Sequence, residues 1–171
     1  MIESEGNKMK INLNKNPRQI IYRFSSMFEQ FAMGELSKRR NNSFKFVCTI
    51  ENEWSLERKR EYIISIIMGY YAGRIIFYRN KDNKFIVLDG NNRAKAIQQF
   101  VDGEFSIQLN GKEIFFTDIQ EVLKQTNNEV EVVEIVVDTN DKKMKKMVLT
   151  NYLIMYHNGE EKRINDILSM I

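Results

Sequence analysis

Apolar residues recur along the chain at two different spacings, and these spacings predict where helices and strands lie. Between residues 17 and 34 the apolar residues are three and four positions apart. This spacing predicts an amphipathic helix that begins at Pro17 and ends near Gly34. A second helix is predicted from Ser55, as its N-cap, through Met68.

Three further helices are predicted in the second half of the chain. A capping box formed by Thr117 and Gln120 predicts the start of a short helix. A longer helix is expected from about Asp141 toward Tyr156, before a break at residues 157–159, and apolar positions at 164–168 predict a last short one.

Runs of apolar and β-branched residues predict the strands, which lie at 44–48, 74–79, 84–88 and 130–137. The turn at 80–83 joins two of them as a hairpin, and Asn110-Gly111 between two apolar segments predicts a second hairpin. The order of elements indicates one mixed α+β domain over residues 17–171, preceded by a flexible polar arm at residues 1–16.

Composition narrows the class of protein. Of 171 residues 43% are hydrophobic, and 11 are Phe and 7 Tyr, which favours a packed domain over disorder. The net charge of +3 is too small to indicate nucleic-acid binding. One Cys permits no internal disulfide, and no apolar run approaches a membrane span, so we expect a cytoplasmic protein without membrane contact. With one His and one Cys, an ordinary structural zinc site or a His-metal nuclease cannot be assembled within one chain.

The candidate chemistry lies in the turn between the predicted strand at 84–88 and the helix that follows it. The turn residues are Asp89, Gly90, Asn91, Asn92 and Arg93. A strand that passes through glycine into a helix leaves backbone N–H groups free at the helix start, where the helix dipole favours an anion. Arg93, one turn into the helix, can add a bidentate contact to a phosphate group.

This turn and its surroundings resemble the D-G-Q-Q-R element of the ParB/sulfiredoxin-like superfamily. The resemblance is greatest to the N-terminal domain of GmrSD-type restriction enzymes and SspE-type defence proteins. It covers at least residues 44–109, and Trp54 and Arg58 stand at the start of the segment that looks like the family's upstream helix. The resemblance implies a small mixed sheet with flanking helices around a strand–D-G-N-N-R–helix core.

The resemblance also implies a role for each motif residue in nucleotide binding. Gly90 permits close backbone approach, and Asn91 and Asn92 present backbone and side-chain amides to phosphate oxygens. Arg93 neutralises phosphate charge, while Asp89 orients the loop or helps to hold Mg²⁺. Asp89 and Arg93 are thus the candidate catalytic residues, Asp89 the candidate metal ligand, and Mg²⁺ with a nucleoside triphosphate the expected cofactor. The competing interpretation is a plain strand–turn–helix corner.

Two departures from the family pattern leave open whether the protein hydrolyses a bound nucleotide. Thr49 and Ile50 stand where the family carries a Gln-Arg pair, and both family glutamines are shortened to asparagine. Arg58 is a candidate nucleotide-binding residue because it could replace the missing arginine, although the mixed charge run over residues 58–61 favours a solvated helix face.

A basic run near the C-terminus is a candidate DNA contact. Its lysines are Lys142, Lys143, Lys145 and Lys146. A solvated helix face is the competing interpretation, because a basic stripe alone supplies only non-specific affinity.

Two functions of different class therefore follow from the sequence. The first is a nucleotide-binding protein in phage defence, counter-defence or DNA transactions, with weak Mg²⁺-dependent hydrolysis left open. The alternative is a non-catalytic interaction module of the same fold that binds DNA or a nuclease partner. We expect no nuclease domain, since the chain ends soon after the motif-bearing region.

Overall fold

The computed structural model describes residues 18–25, 46–49, 52–82, 84–123, 129–137, 139–156 and 161–171. The strands are β1 (Arg18–Ser25), β2 (Phe46–Val47), β3 (Arg74–Arg79), β4 (Phe85–Asp89), β5 (Ile107–Leu109), β6 (Lys112–Ile114) and β7 (Glu129–Val136). The helices are α1 (Leu56–Ile67), α2 (Asn91–Val101), α3 (Phe116–Leu123), α4 (Lys142–Tyr156) and α5 (Glu161–Ser169). None of the helices in the described ranges is long and apolar enough to cross a bilayer.

Five strands form a mixed sheet in the order β1-β7-β3-β4-β2. The outer strand β1 pairs antiparallel with β7, and β7 runs parallel to β3. The β3–β4 hairpin is antiparallel, and β2 pairs with β4 in parallel. Strands β5 and β6 form a separate two-stranded hairpin around Asn110-Gly111. The architecture is therefore α+β, as the sequence predicts.

Both faces of the sheet are covered, so its central strands carry continuous apolar runs. One face packs against α1, α2 and α3 through a cluster that includes Phe77, Ile97 and Phe100. The other face packs against α4 and α5 through a cluster that includes Tyr78 and Leu153. This division places the motif corner against one layer of helices and the basic run in the other.

Local sequence signals account for most of the elements. Ser55 caps α1 by accepting a hydrogen bond from the backbone N–H of Arg58 at 3.3 Å. Asp141 caps α4 in the same way, with its Oδ1 2.8 Å from the backbone nitrogen of Lys143. The predicted β3–β4 hairpin, the Asn110-Gly111 hairpin, the strand at 130–137 and the two C-terminal helices are confirmed.

Two predictions of local structure are wrong. The helix predicted from residue 17 to residue 34 is a strand over Arg18–Ser25, where all eight residues pair with β7. Hydrogen bonds to a distant strand override the helical spacing of the apolar residues. Helix α3 starts at Phe116, with Asp118 Oδ2 accepting from the backbone N–H of Phe115 at 2.8 Å, so Thr117 is not its cap. Residues 1–17, 26–45 and 157–160, on which other predictions fall, lie outside the described ranges.

Candidate functional site

The corner between β4 and α2 is held by a glycine that no other residue can replace without strain. Gly90 is the N-cap of α2 with φ +88°, in the left-handed region. A Cβ added there would lie 2.9 Å from the carbonyl oxygen of Arg74, which is too close. The requirement for glycine is thus both conformational and steric.

Helix α2 starts without a side-chain cap, unlike α1 and α4. The first described backbone hydrogen bond of α2 runs from Ala94 N to Gly90 O at 2.9 Å, and the N–H groups of Asn91, Asn92 and Arg93 donate to no described residue. Free N–H groups and the positive end of the helix dipole favour an anion at this position.

The Arg93 guanidinium lies at the same corner, between two glycines. A Cβ on Gly73 would be 3.2 Å from Arg93 Cζ, and a Cβ on Gly90 would be 3.2 Å from Arg93 Nη1. Nη1 donates to the Arg74 carbonyl oxygen and lies 3.9 Å from Asp89 Oδ2. Arg93 therefore ties the start of β3 to the end of β4, and its Nε and Nη2 have no described acceptor.

The two motif asparagines hold the segment that precedes α1. Asn91 Oδ1 accepts from the backbone N–H of Thr49, and Asn92 Oδ1 from that of Trp54, both at 3.0 Å. Asn92 Nδ2 donates to the Asn52 carbonyl oxygen at 2.9 Å. The amide oxygens and one amide nitrogen thus have structural partners. Only Asn91 Nδ2 is left for the phosphate contact that the resemblance implies for the side chains.

Three buried polar atoms around the corner lack hydrogen-bond partners among the described residues. They are Asn91 Nδ2, Thr49 Oγ1 and the Tyr62 hydroxyl. Asn91 is only 2% exposed, so solvent does not satisfy its amide. Burial raises the pKa of Tyr62, against the opposing charge of Arg93, so its hydroxyl stays protonated at neutral pH and can donate a hydrogen bond. Unpaired buried donors are costly, and a bound ligand would satisfy them.

Arg58 and Trp54 lie at the outer edge of this corner. The Arg58 guanidinium carbon is 4.7 Å from the centre of the Trp54 ring, a cation–π contact, and Trp54 packs edge-on against Tyr62 at 5.3 Å. The side chain of Arg58 is exposed and stacked on this ring. The structure thus places Arg58 in the first turn of α1, stacked on Trp54, whose backbone N–H donates to Asn92.

The described residues do not form a metal site of their own. They contain no group of three or more His, Cys, Asp or Glu side chains arranged to hold an ion. Asp89, the predicted ligand, has Arg93 as its nearest charged partner. A lone carboxylate beside a guanidinium does not fit a dedicated Mg²⁺ site, which requires several oxygen ligands.

Cys48 is not a reactive thiol. It lines a cavity of about 380 Å³ beside α2 together with Lys95, Gln99 and others. Burial raises the pKa of Cys48 to about 12, although the charge of Lys95 opposes the shift. The thiol is protonated at neutral pH and packs against the core as a small apolar side chain.

The structure separates the four lysines predicted as a DNA contact. Lys142, Lys145 and Lys146 line a cavity of about 450 Å³, and Lys143 does not. Lys81, in the turn between β3 and β4, also lines this cavity. Sequence reasoning did not find Lys81, because only tertiary structure brings the turn and α4 together.

The chain matches no protein-family model, and no curated protein or solved structure shows significant similarity to it.

Proposed function

We propose that the corner formed by Asp89 to Arg93 binds the phosphate groups of a nucleotide. The observation that carries this proposal is the uncapped start of α2, where three backbone N–H groups without described acceptors lie beside the Arg93 guanidinium. Fixed donors next to a positive charge are the arrangement that phosphate binding requires.

Each motif residue has a role in this proposal. Gly90 permits the close approach of a phosphate oxygen, and the N–H groups of Asn91 to Arg93 donate to it. Arg93 supplies the countercharge through Nε and Nη2, which have no described acceptor. Asn91 Nδ2 and the Tyr62 hydroxyl are buried donors that a ligand would satisfy. Mg²⁺ would be held by the phosphates of the nucleotide. Whether the bound nucleotide is hydrolysed is tested below by phosphate release.

Nucleotide binding at this corner would also act on the neighbouring segment. Asn91 and Asn92 hold the backbone at Thr49 and Trp54, and Glu53 between them forms ion pairs with Lys59 and Lys95. A ligand at the start of α2 thereby contacts the residues that position the Trp54 and Arg58 side chains. We place such a nucleotide-responsive protein in the cytoplasm, in phage defence, counter-defence or DNA transactions.

A specific observation favours the second candidate, a non-catalytic interaction module. Asn91 Oδ1, both polar atoms of the Asn92 amide and Arg93 Nη1 are hydrogen-bonded within the chain. A motif whose side chains hold the fold together needs no ligand. In that case the corner is structural, and a DNA or protein partner binds elsewhere.

Calorimetric titration separates the two candidates. ATP, GTP and CTP, each with Mg²⁺, are titrated into the wild type, Arg93→Ala and Arg93→Lys. Loss of two charge-assisted hydrogen bonds is expected to weaken binding by roughly tenfold or more in Arg93→Ala. Arg93→Lys is expected to recover only part of the affinity because an ammonium cannot make the bidentate contact. Lys112→Ala, an exposed single-charge control in β6, is expected to bind like the wild type.

A pair of glycine variants tests the placement of Arg93 without removing it. Gly69 and Gly73 have φ +76° and +73°, so alanine strains the backbone equally at both positions. A Cβ on Gly69 would contact nothing within 4 Å, whereas one on Gly73 would press on Arg93 Cζ at 3.2 Å. We therefore expect Gly73→Ala to weaken nucleotide binding and Gly69→Ala not to do so.

Phosphate release by any nucleotide that binds then separates a hydrolase from a binding module. If the folded wild type binds none of the three nucleotides, the nucleotide proposal is wrong and the structural corner remains. If Arg93→Ala and Lys112→Ala weaken nucleotide binding equally, the nucleotide does not bind at this corner.

A further inference from the structure

We propose a second anion site, separate from the motif corner, in the cavity beneath the start of α4. Its ligand is a small molecule that carries two or more phosphate groups. The cavity of about 450 Å³ lies between the end of β3 with the β3–β4 turn, the first half of α4, and the end of α5 with the last residue of the chain. A volume of this order is typical of a small-ligand pocket.

Four lysines supply the charge of this cavity. They are Lys81, Lys142, Lys145 and Lys146. None of them lies within ion-pair distance of a carboxylate in the described part of the chain. Arg79 also lines the cavity, but Glu134 neutralises it through contacts of 3.0 and 3.1 Å. The cavity thus brings together four lysines that form no ion pair with the described residues.

The helical spacing explains why three of these lysines converge. Lys142, Lys145 and Lys146 are three and four residues apart, so they share one side of α4, while Lys143 falls on another. Asp141, the nearest acidic residue in the sequence, uses its Oδ1 to cap the backbone N–H groups of Lys143 and Met144 at 2.8 and 3.3 Å. The start of α4 is therefore already capped, and the lysine side chains are the anion-binding groups.

The wall of the cavity is apolar and partly aromatic. Leu168 and Ile171 line it, and the Lys145 ammonium lies 6.0 Å from the centre of the buried Tyr78 ring. This contact positions Lys145 at the cavity. Cationic groups beside an apolar wall match a ligand with an anionic part and a less polar body.

A concave site distinguishes this proposal from a nucleic-acid surface. A duplex backbone is held by cations spread along an exposed face, and Lys143 would then contribute as much as its neighbours. Here lysines from two elements line one concave, partly open volume, and Lys143 does not line it. The geometry therefore favours a small polyanion over a nucleic-acid strand.

Backbone amide NMR spectra during titration test the proposal directly. Sodium tripolyphosphate and ATP are the probes, and sodium chloride at equal ionic strength is the reference. We expect saturable shifts at residues 79–82, 142–146 and 168–171. Lys142→Ala/Lys146→Ala is expected to weaken tripolyphosphate binding by about tenfold or more, since each lost charged contact contributes to affinity.

The matched control is Lys112→Ala/Lys143→Ala, which also removes two exposed lysines but leaves the cavity unchanged. It is expected to bind tripolyphosphate within about twofold of the wild type, because neither lysine lines the cavity and solvated charges outside it are partly screened. Arg93→Ala is expected to leave these shifts intact, so failure of the motif site and failure of this site are distinguishable.

Three results would overturn the proposal. Shifts that never saturate, or that weaken equally in the two double variants, would show diffuse charge attraction only. Saturable shifts confined to residues 90–93 would assign all phosphate binding to the motif corner. Saturation by a short DNA duplex, with no saturable response to either small probe, would make the face a nucleic-acid contact.

Discussion

The motif corner and the lysine cavity are both positively charged regions at the start of a helix, but they use their charges differently. At the corner, Arg93 contacts Arg74 and Asp89, and Lys95 forms an ion pair with Glu53. In the cavity, Lys142 and Lys146 have no such partners among the described residues. The charged residues of the motif corner therefore stabilise the fold, whereas the lysines at the start of α4 line a cavity, although their sequence shows no known motif. Substitutions at the corner should lower stability first, whereas substitutions in the cavity should weaken ligand binding without destabilising the fold.

The largest effect is expected from Gly90→Ala. The left-handed backbone and the 2.9 Å approach of a Cβ to the Arg74 carbonyl oxygen act together there. We expect the free energy of unfolding to fall by about 3 kcal/mol, measured by urea denaturation. Gly103→Ala, at the other end of α2, is the control, since φ is +76° and a Cβ would contact nothing within 4 Å. A loss of about 1 kcal/mol is expected for it, and equal losses would contradict the steric account.

A smaller loss is expected from Asn91→Ala. This change leaves the backbone N–H of Thr49 without the acceptor that now lies at 3.0 Å. An unsatisfied buried donor costs about 1–3 kcal/mol, and the better helix propensity of alanine offsets part of it. Asn91→Asp restores an acceptor in the same place. If urea denaturation shows no difference between Asn91→Ala and the wild type, the amide does not hold this segment.

The cavity lysines are expected to behave in the opposite way. Lys142 and Lys146 are like charges four residues apart on α4, and neither has a described carboxylate partner. Lys142→Ala/Lys146→Ala should therefore raise the free energy of unfolding by up to about 0.5 kcal/mol, while phosphate binding falls. A substantial destabilisation would show that the lysines support the fold, and the contrast with the corner would disappear.

The smallest effect is expected at Glu53, and it depends on pH. Hydrogen bonds from Lys59 and Lys95 hold the pKa of Glu53 below its usual value. A carboxyl with a lowered pKa in the folded state contributes stability above its unfolded pKa, and this is lost as pH falls through the folded pKa. Because the Glu53 carboxylate is exposed to solvent, we expect a contribution of only about 0.3 kcal/mol. The free energy of unfolding is measured by urea denaturation for the wild type and Glu53→Gln at pH 7 and pH 3. The wild type should be the more stable of the two at pH 7 but not at pH 3.

The sequence predicted where the candidate site lies in the fold, but it did not predict which residues the site contacts. The order of apolar strand, glycine turn and helix located Gly90 and Arg93 correctly at a strand-to-helix corner. The partners of Asn91 and Asn92 lie about 40 residues earlier in the chain, and short-range patterns contain no information about them. The same limit explains why Lys81 was not connected with Lys145.

Sequence alone determined the elements whose signals are local. Ser55, Asp141 and the Asn110-Gly111 turn set backbone conformation through their nearest neighbours, and α1, α4 and the β5–β6 hairpin form where predicted. Tertiary structure alone decided β1. The apolar spacing of residues 18–25 fits a helix, but all eight residues pair with β7 in the folded chain. Tertiary structure also decided which charges meet, because ion pairs and cavities depend on distances between elements far apart in the chain.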